Sequence, residues 1–184
     1  MLREACRQGR VWADALPQPP VVAVNLSALQ FKRGDVLALV REALRASGLP
    51  AHLLELELTE SILLQDVDST IATLQGLKAL GVKHSIDDFG AGYSSLSYLK
   101  RLAVDKLKID QSFVRDMLTD ADGASIVKAI VQLGHNLQLT VIAEGVETPA
   151  QRQVLTDIGC DEAQGYLIGR PATADACQAL LTQT

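Results

Sequence analysis

The sequence predicts an α/β fold with a parallel sheet, and a (β/α) barrel in preference to a doubly wound sheet. Three observations carry this reading. Apolar strand-like segments alternate with helical ones at intervals of about 20–35 residues, as βα units do. Four of these segments run into acidic or amide residues at their carboxyl end: Val22-Ala23-Val24-Asn25, Leu56-Glu57-Leu58-Thr59-Glu60, Ser85-Ile86-Asp87-Asp88 and Val141-Ile142-Ala143-Glu144. A fifth, Leu107-Lys108-Ile109-Asp110, ends in a lysine and an acid. Barrel active sites are built at the carboxyl ends of many different strands, so this recurrence favours the barrel.

The elements follow in order. Residues 2–15 form an amphipathic helix stopped by Pro17, Pro19 and Pro20. Val21 to Leu26 is a buried strand. Residues 35–47 are helical, with Gly48 and Pro50 as the stop, and Leu53 to Thr59 is a strand. A helix over 66–80 ends at Gly81 as its C-terminal cap, and Lys83 to Asp88 is the next strand. A loop and short helix lead to a strand at Lys106 to Asp110. A helix spans 122–137, a strand Thr140 to Glu144, and a helix 148–158 capped by Gly159. The last strand is expected near Ala163 to Ile168, and a helix closes the chain from Thr173.

The chain has 184 residues, 48% hydrophobic and 21% charged, which fits one soluble globular domain over 1–184 with a sizeable core. A net charge of −5 argues against a nucleic-acid polymer as partner, though not against a small anion held through metal ions. Cys6, Cys160 and Cys177 are odd in number and lack CxxC spacing, so buried thiols are expected rather than disulfides or a zinc site. No apolar run approaches the ~20 residues of a membrane helix. Met1-Leu2-Arg3-Glu4 opens directly into a helical pattern with no secretory signal. A cytoplasmic protein is expected.

Side chains alternate across a strand. Asn25 therefore shares a face with Ala23, Glu57 with Glu55, Asp87 with Ser85, Lys108 with Asp110, and Glu144 with Ile142. The opposite faces are apolar and suit packing against outer helices. The polar set suits the mouth of a barrel. A buried carboxylate is costly unless it is paired or binds metal, so several of them converging indicate a divalent-cation site. All-oxygen ligation suits Mg²⁺ or Mn²⁺ rather than zinc. Neighbours such as Asp87-Asp88 can bridge two cations, as two-metal hydrolysis requires. For Glu60 and Asp88 taken singly, helix capping is the competing explanation.

Other motifs fall short. Asp88-Phe89-Gly90 imitates the kinase DFG, but no Gly-rich loop, strand lysine or HRD segment accompanies it. Gly90-Ala91-Gly92-Tyr93 lacks the third glycine of a dinucleotide fingerprint. No G-x-S-x-G elbow exists. His52, His84 and His135 are scattered and are read as ordinary surface or core histidines.

One set of segments carries a resemblance. These are Asn25-Leu26-Ser27, Glu57-Leu58-Thr59-Glu60-Ser61, Asp87-Asp88-Phe89-Gly90-Ala91-Gly92-Tyr93-Ser94-Ser95-Leu96, Lys108-Ile109-Asp110, Ala143-Glu144-Gly145-Val146-Glu147-Thr148 and Gln164-Gly165-Tyr166. In order and spacing they resemble the EAL-domain family, the bacterial cyclic di-GMP phosphodiesterases, from about residue 2 to the end of the chain. The resemblance implies a TIM-like barrel that hydrolyses cyclic di-GMP to linear pGpG with two Mg²⁺ or Mn²⁺ ions. It implies Asn25, Glu57 and Asp87 as metal ligands, Asp87 bridging, with Asp88 serving the second metal. Lys108 would hold the attacking water or the scissile phosphate. Glu144 would act as general base or hold the second metal, with Glu147 close by. Asp110 and Gln164 would support the site, and Glu60 would anchor the loop Gly90–Leu96, which in the family gates metal binding and dimerisation.

The chain departs from the family in one respect: the Glu-Ala-Leu segment is missing. That segment lies on the first barrel strand, supplies a glutamate ligand and sits upstream of the helix that begins here at Met1. The barrel is therefore expected to be incomplete, without its first strand and helix. The isolated chain is expected to hydrolyse cyclic di-GMP weakly or not at all, and to self-associate as a homodimer. An upstream or fused regulatory domain is compatible with this reading. The competing function is a catalytically degenerate module that binds cyclic di-GMP or docks a protein. A metabolic barrel enzyme acting on sugar phosphates fits the architecture alone and leaves the Asp87–Leu96 run unexplained.

Overall fold

The computed structural model describes residues 1–33, 35–63, 67–90, 99, 101–120 and 122–182. From the amino end the elements are α1 (Leu2–Ala15), β1 (Val22–Leu26), α2 (Ala28–Arg33), α3 (Val36–Ser47), β2 (Leu54–Thr59), α4 (Glu60–Leu63), α5 (Val67–Ala79), β3 (Lys83–Phe89), β4 (Lys106–Ile109), α6 (Gln111–Asp116), α7 (Gly123–Asn136), β5 (Thr140–Ala143), α8 (Pro149–Asp157), β6 (Glu162–Ala163) and α9 (Ala174–Leu181). A 3₁₀ turn at Ala51–Leu53 leads into β2. The fold is α/β with parallel strands, as the sequence predicts. No helix among the described residues is long and apolar enough to cross a membrane.

The chain forms two compact units. The first comprises Met1–Leu58, Ile62–His84 and Pro171–Thr184. In it β1 pairs in parallel with β2, register Val24↔Leu56 and Asn25↔Glu57. Val24, Leu26, Leu54, Leu56 and Leu58 are buried, while Ala23 and Asn25 are exposed. Helix α1 packs on α3 and β1, and α3 packs on α5. Local chemistry places the helix ends. The Asp35 carboxylate accepts from the Ala38 N–H at 2.9 Å, starting α3, and Gly48 at φ +69 ends it in the left-handed conformation glycine favours.

The second unit comprises Thr59–Ser61 and Ser85–Arg170. In it β3 pairs with β4, β4 with β5 and β5 with β6, all in parallel. Ile86, Leu107, Ile109, Val127, Val131, Val141 and Leu155 form its core, with α7 packed on β4 and β5. Thr148 caps α8 reciprocally with Gln151, and Pro149 stands at its first turn.

The final strand is shorter than predicted: it covers Glu162–Ala163, not Ala163 to Ile168. Beyond Ala163 the backbone turns away to bond the segment that follows β5. The Gln164 N–H donates to the Ala143 carbonyl at 2.8 Å, the Val146 N–H to the Gln164 carbonyl at 3.0 Å, and the Leu167 N–H to the Val146 carbonyl at 3.0 Å. A Cβ on Gly165 would lie 2.2 Å from the Val146 oxygen, so only glycine permits this crossing. All three cysteines are free, but only Cys6 is fully buried; Cys160 and Cys177 are partly exposed. The loop and short helix expected after β3 fall largely on residues 91–98 and 100, outside the described residues.

Candidate active site

The site in the second unit is built on a bulge. Ile86 pairs with Leu107 and Phe89 with Ile109, so Asp87 and Asp88 together oppose the single residue Lys108. On a regular strand two consecutive side chains point to opposite faces. Here Asp88 adopts φ +54, and its N–H donates to Asp87 Oδ1 at 3.2 Å. A bulge re-aims side chains in this way. Asp87, Asp88 and Glu144 each present a carboxylate oxygen to one place, with these atoms within 4.8 Å of one another.

Lys108 ties the cluster together. Its Nζ lies 3.0 Å from Asp87 Oδ1 and 2.6 Å from Glu144 Oε1, and its side chain is 5% exposed. Asp87 is 8% exposed as a residue, whereas Asp88 faces solvent. Burial raises the Asp88 carboxyl above its ordinary value, and the nearby charges of Asp87 and Asp110 raise it further against the opposing pull of Lys108. Asp110 caps α6: its Oδ1 accepts from the Ser112 N–H at 2.9 Å and from the Ser112 hydroxyl.

Three carboxylates against one ammonium leave the cluster negative. A hard divalent cation fits such an all-oxygen donor set, and like-charge crowding of the kind that perturbs Asp88 is what a cation relieves.

Beside the cluster lies a cavity of about 320 Å³ lined by Gln111, Glu144, Gly145, Glu147, Gln164, Gly165 and Tyr166. Gly145, at φ +69, follows Glu144 where a Cβ would approach the Gln111 Cβ to 2.8 Å. Glu147 is exposed and its N–H donates to Gln151 Oε1 at 2.9 Å, which fixes the loop onto α8.

The predicted residues thus stand as follows. Asp87, Asp88, Lys108 and Glu144 come together; Asp110 closes the same strand, and Glu147 and Gln164 line the adjoining cavity. In the first unit Asn25 and Glu57 stand opposite each other in the β1–β2 register, at the carboxyl ends of their strands. Glu60 opens α4, 7% exposed, with neither carboxylate oxygen hydrogen-bonded. Its expected role in anchoring the loop Gly90–Leu96 falls on residues 91–96, which lie outside the described residues. Sequence reasoning assigned no role to Gln111, Tyr166 or Arg170. Gln111 follows the Lys108-Ile109-Asp110 motif directly, and Tyr166 closes the Gln164-Gly165-Tyr166 motif, so adjacency was the available signal.

The chain is similar to known proteins in sequence and in fold. The sequence pattern of the EAL domain matches residues 1–171. The bifunctional diguanylate cyclase/cyclic di-GMP phosphodiesterase MucR of Pseudomonas aeruginosa is 51% identical over 176 residues, 95% of this chain and 26% of MucR. The cyclic di-GMP phosphodiesterase NbdA of the same organism is 45% identical over 181 residues, 98% of this chain and 23% of NbdA. The chain therefore spans about a quarter of the length of these curated relatives. A solved structure of the PaMucR phosphodiesterase in complex with c-di-GMP superposes with a TM-score of 0.93 at 50% identity, covering 96% of this chain and 71% of that one. Klebsiella pneumoniae BlrP1, in a manganese/cy-diGMP complex, superposes with a TM-score of 0.82 at 32% identity, covering 94% and 44%.

Proposed function

The chain belongs to the EAL-domain family, and on that footing we propose that it binds cyclic di-GMP and carries the hydrolytic site of a cytoplasmic phosphodiesterase that opens it to linear pGpG. The carrying observation is the convergence of Asp87, Asp88 and Glu144 within 4.8 Å around a buried Lys108. Asp87 and Asp88 are the residues of the second unit that would hold Mg²⁺ or Mn²⁺. Two such ions neutralise the diester and lower the pKa of water, which is the chemistry they supply when bound.

The chain's own residues do the rest. Hydrolysis forms a bond from a water oxygen to phosphorus and breaks the phosphorus–oxygen bond to the sugar, whose oxygen leaves with a proton. Glu144 is the base that takes the proton from the water. Lys108 orients Glu144 through its 2.6 Å ion pair and places an ammonium where the phosphoryl oxygens gain charge. Asp110, fixed by its bonds to Ser112, holds the end of β4 that presents Lys108. Gln164 and Glu147 line the cavity in which the remainder of the ligand lies. A homodimer and a fused regulatory domain fit the same reading.

The test is a titration with cyclic di-GMP together with a turnover assay in Mn²⁺ and in Mg²⁺, with pGpG followed by chromatography. It is run on this chain and on a form extended upstream. We expect binding by both, turnover chiefly in the extended form, and in the extended form a loss of at least about a hundredfold in kcat for Glu144→Ala with binding largely retained. Turnover that survives Glu144→Ala removes the assigned base. Binding without turnover in the extended form points instead to a degenerate sensor module.

A further inference from the structure

We propose that Gln151 is a positioning residue for the acidic cluster: it clamps the loop that bears Glu144 onto α6, the helix that follows Lys108, and so holds Glu144 beside Asp87 and Asp88. This rests on the metal-dependent hydrolase reading above. Gln151 is 6% exposed, and its side-chain amide bonds at both ends. Its Oε1 accepts from the Glu147 N–H at 2.9 Å and from the Thr148 N–H at 3.0 Å. Its Nε2 donates to the Val114 carbonyl at 3.2 Å, 37 residues away in sequence.

The first two bonds belong to the start of α8, and the third does not. A capping box needs only an acceptor at this position, so glutamate serves it as well as glutamine. A glutamate would have no N–H to give Val114, which is fully buried, and would set a carboxylate oxygen against that carbonyl. Val114 stands in the last turn of α6, where helix carbonyls lack intrahelical partners. The amide is therefore explained by the link to α6, and not by the cap alone.

Both ends of the link lead to the site. Helix α6 begins at Gln111, directly after β4, which presents Lys108, and after the Asp110 cap. The loop 144–148 begins at Glu144, whose N–H donates to the Ile109 carbonyl at 3.2 Å. Gly145 then crosses Gln111 so closely that a Cβ would come within 2.8 Å of the Gln111 Cβ. The loop is thus seated on α6 at two places, at Gly145 near its start and through Gln151 at its end. The Val146 N–H bonds the Gln164 carbonyl instead, which ties the loop to the segment after β6. Without Gln151 the loop's hold on α6 falls to the Gly145 contact alone.

The experiment titrates Mn²⁺ into chain freed of metal by chelation and follows the free ion by its paramagnetic resonance signal, for the unmodified chain, Gln151→Glu, Gln151→Met and Thr148→Ala. Thr148→Ala removes the hydroxyl that accepts from the Gln151 N–H, so it weakens the cap and spares the link to Val114. It is expected to lower the urea midpoint and to keep the Mn²⁺ Kd. Gln151→Glu keeps the cap acceptor and is expected to raise that Kd on the order of tenfold, as loss of a group that orients metal ligands does. Its added negative charge would by itself attract the cation, so a rise is not a charge effect. Gln151→Met, which is neutral, is expected to raise Kd likewise. An unchanged Kd in both Gln151 variants overturns the positioning role and leaves the metal centre and the hydrolase reading intact, as does an equal rise in Thr148→Ala. An unmodified chain that binds no Mn²⁺ overturns the metal centre as well.

Discussion

A buried ammonium has a desolvation cost that only close partners offset, and Asp87 and Glu144 are such partners of Lys108. In the proposed hydrolysis the same pairing sets an ammonium beside Glu144, the group assigned to take the proton from water. A different pair of residues, away from the site, sets a measurable pH dependence. Burial alone would raise the Asp161 carboxyl. The Val141 N–H, 2.7 Å away, and His135 Nε2, at 2.9 Å, outweigh it and hold the carboxyl below its ordinary value. The folded chain then binds fewer protons in acid than the unfolded chain does. The stabilisation is complete above about pH 4 and is lost as pH falls through the lowered folded value. Because the pair is partly exposed, we expect Asp161→Asn to cost only about 1 kcal/mol between pH 5 and 7. The gap between the two urea midpoints should then close toward pH 3. An equal gap at pH 3 and pH 7 would mean that the carboxylate's charge contributes nothing.

At the scale of the element, the close fit of α7 to β5 supplies a sharper test. A Cβ on Gly134 would come within 2.3 Å of Val141 Cγ2. In a helix interior Gly→Ala ordinarily gains up to about 1 kcal/mol, whereas overpacking costs about 1–3 kcal/mol. Val141 is β-branched and has few rotamers with which to turn aside, so the clash wins. Gly134→Ala is expected to destabilise the chain by about 1 kcal/mol, yet to stabilise it in a Val141→Ala background, where only the helix preference remains. A change of the same sign in both backgrounds in urea unfolding would refute the packing argument. Elements of this kind were largely legible in the sequence, because α1 is amphipathic and stopped by prolines, a glycine follows α3, α5 and α8, and α7 carries helical periodicity. The short α2 was missed although Ser27 and Gln30 form a capping box, with the Gln30 N–H 3.2 Å from Ser27 Oγ. The site residues were legible as acids ending strands. How Asp87 and Asp88 both reach one point was not, because strict alternation sends them apart and only the bulge against Lys108 brings them back. The end of β6 was illegible for a related reason: its backbone bonds to a loop, and no side-chain pattern records that.

For the whole molecule, net charge and site charge act in the same direction. The chain carries −5 overall, and its carboxylate cluster is negative, so a divalent cation is attracted and an anionic dinucleotide is not until that cation binds. A cation held by the folded cluster has no equivalent site in the unfolded chain, so binding adds to global stability by mass action. At a hundred times its Kd the gain is about 2.7 kcal/mol, which for a chain of 184 residues raises Tm by about 5–10 °C. We therefore expect Mn²⁺, added to chain freed of metal by chelation, to raise Tm by that order, and Asp87→Asn to lose most of the rise. Asp161→Asn, whose carboxylate bonds Val141 and His135 instead, should keep it, so a loss in Asp87→Asn alone is read as loss of a ligand rather than of fold. Because the readout is unfolding, it tests the metal centre independently of whether this chain turns over cyclic di-GMP. A Tm that ignores Mn²⁺, or a rise that survives Asp87→Asn undiminished, would show that Asp87, Asp88 and Glu144 do not form that centre.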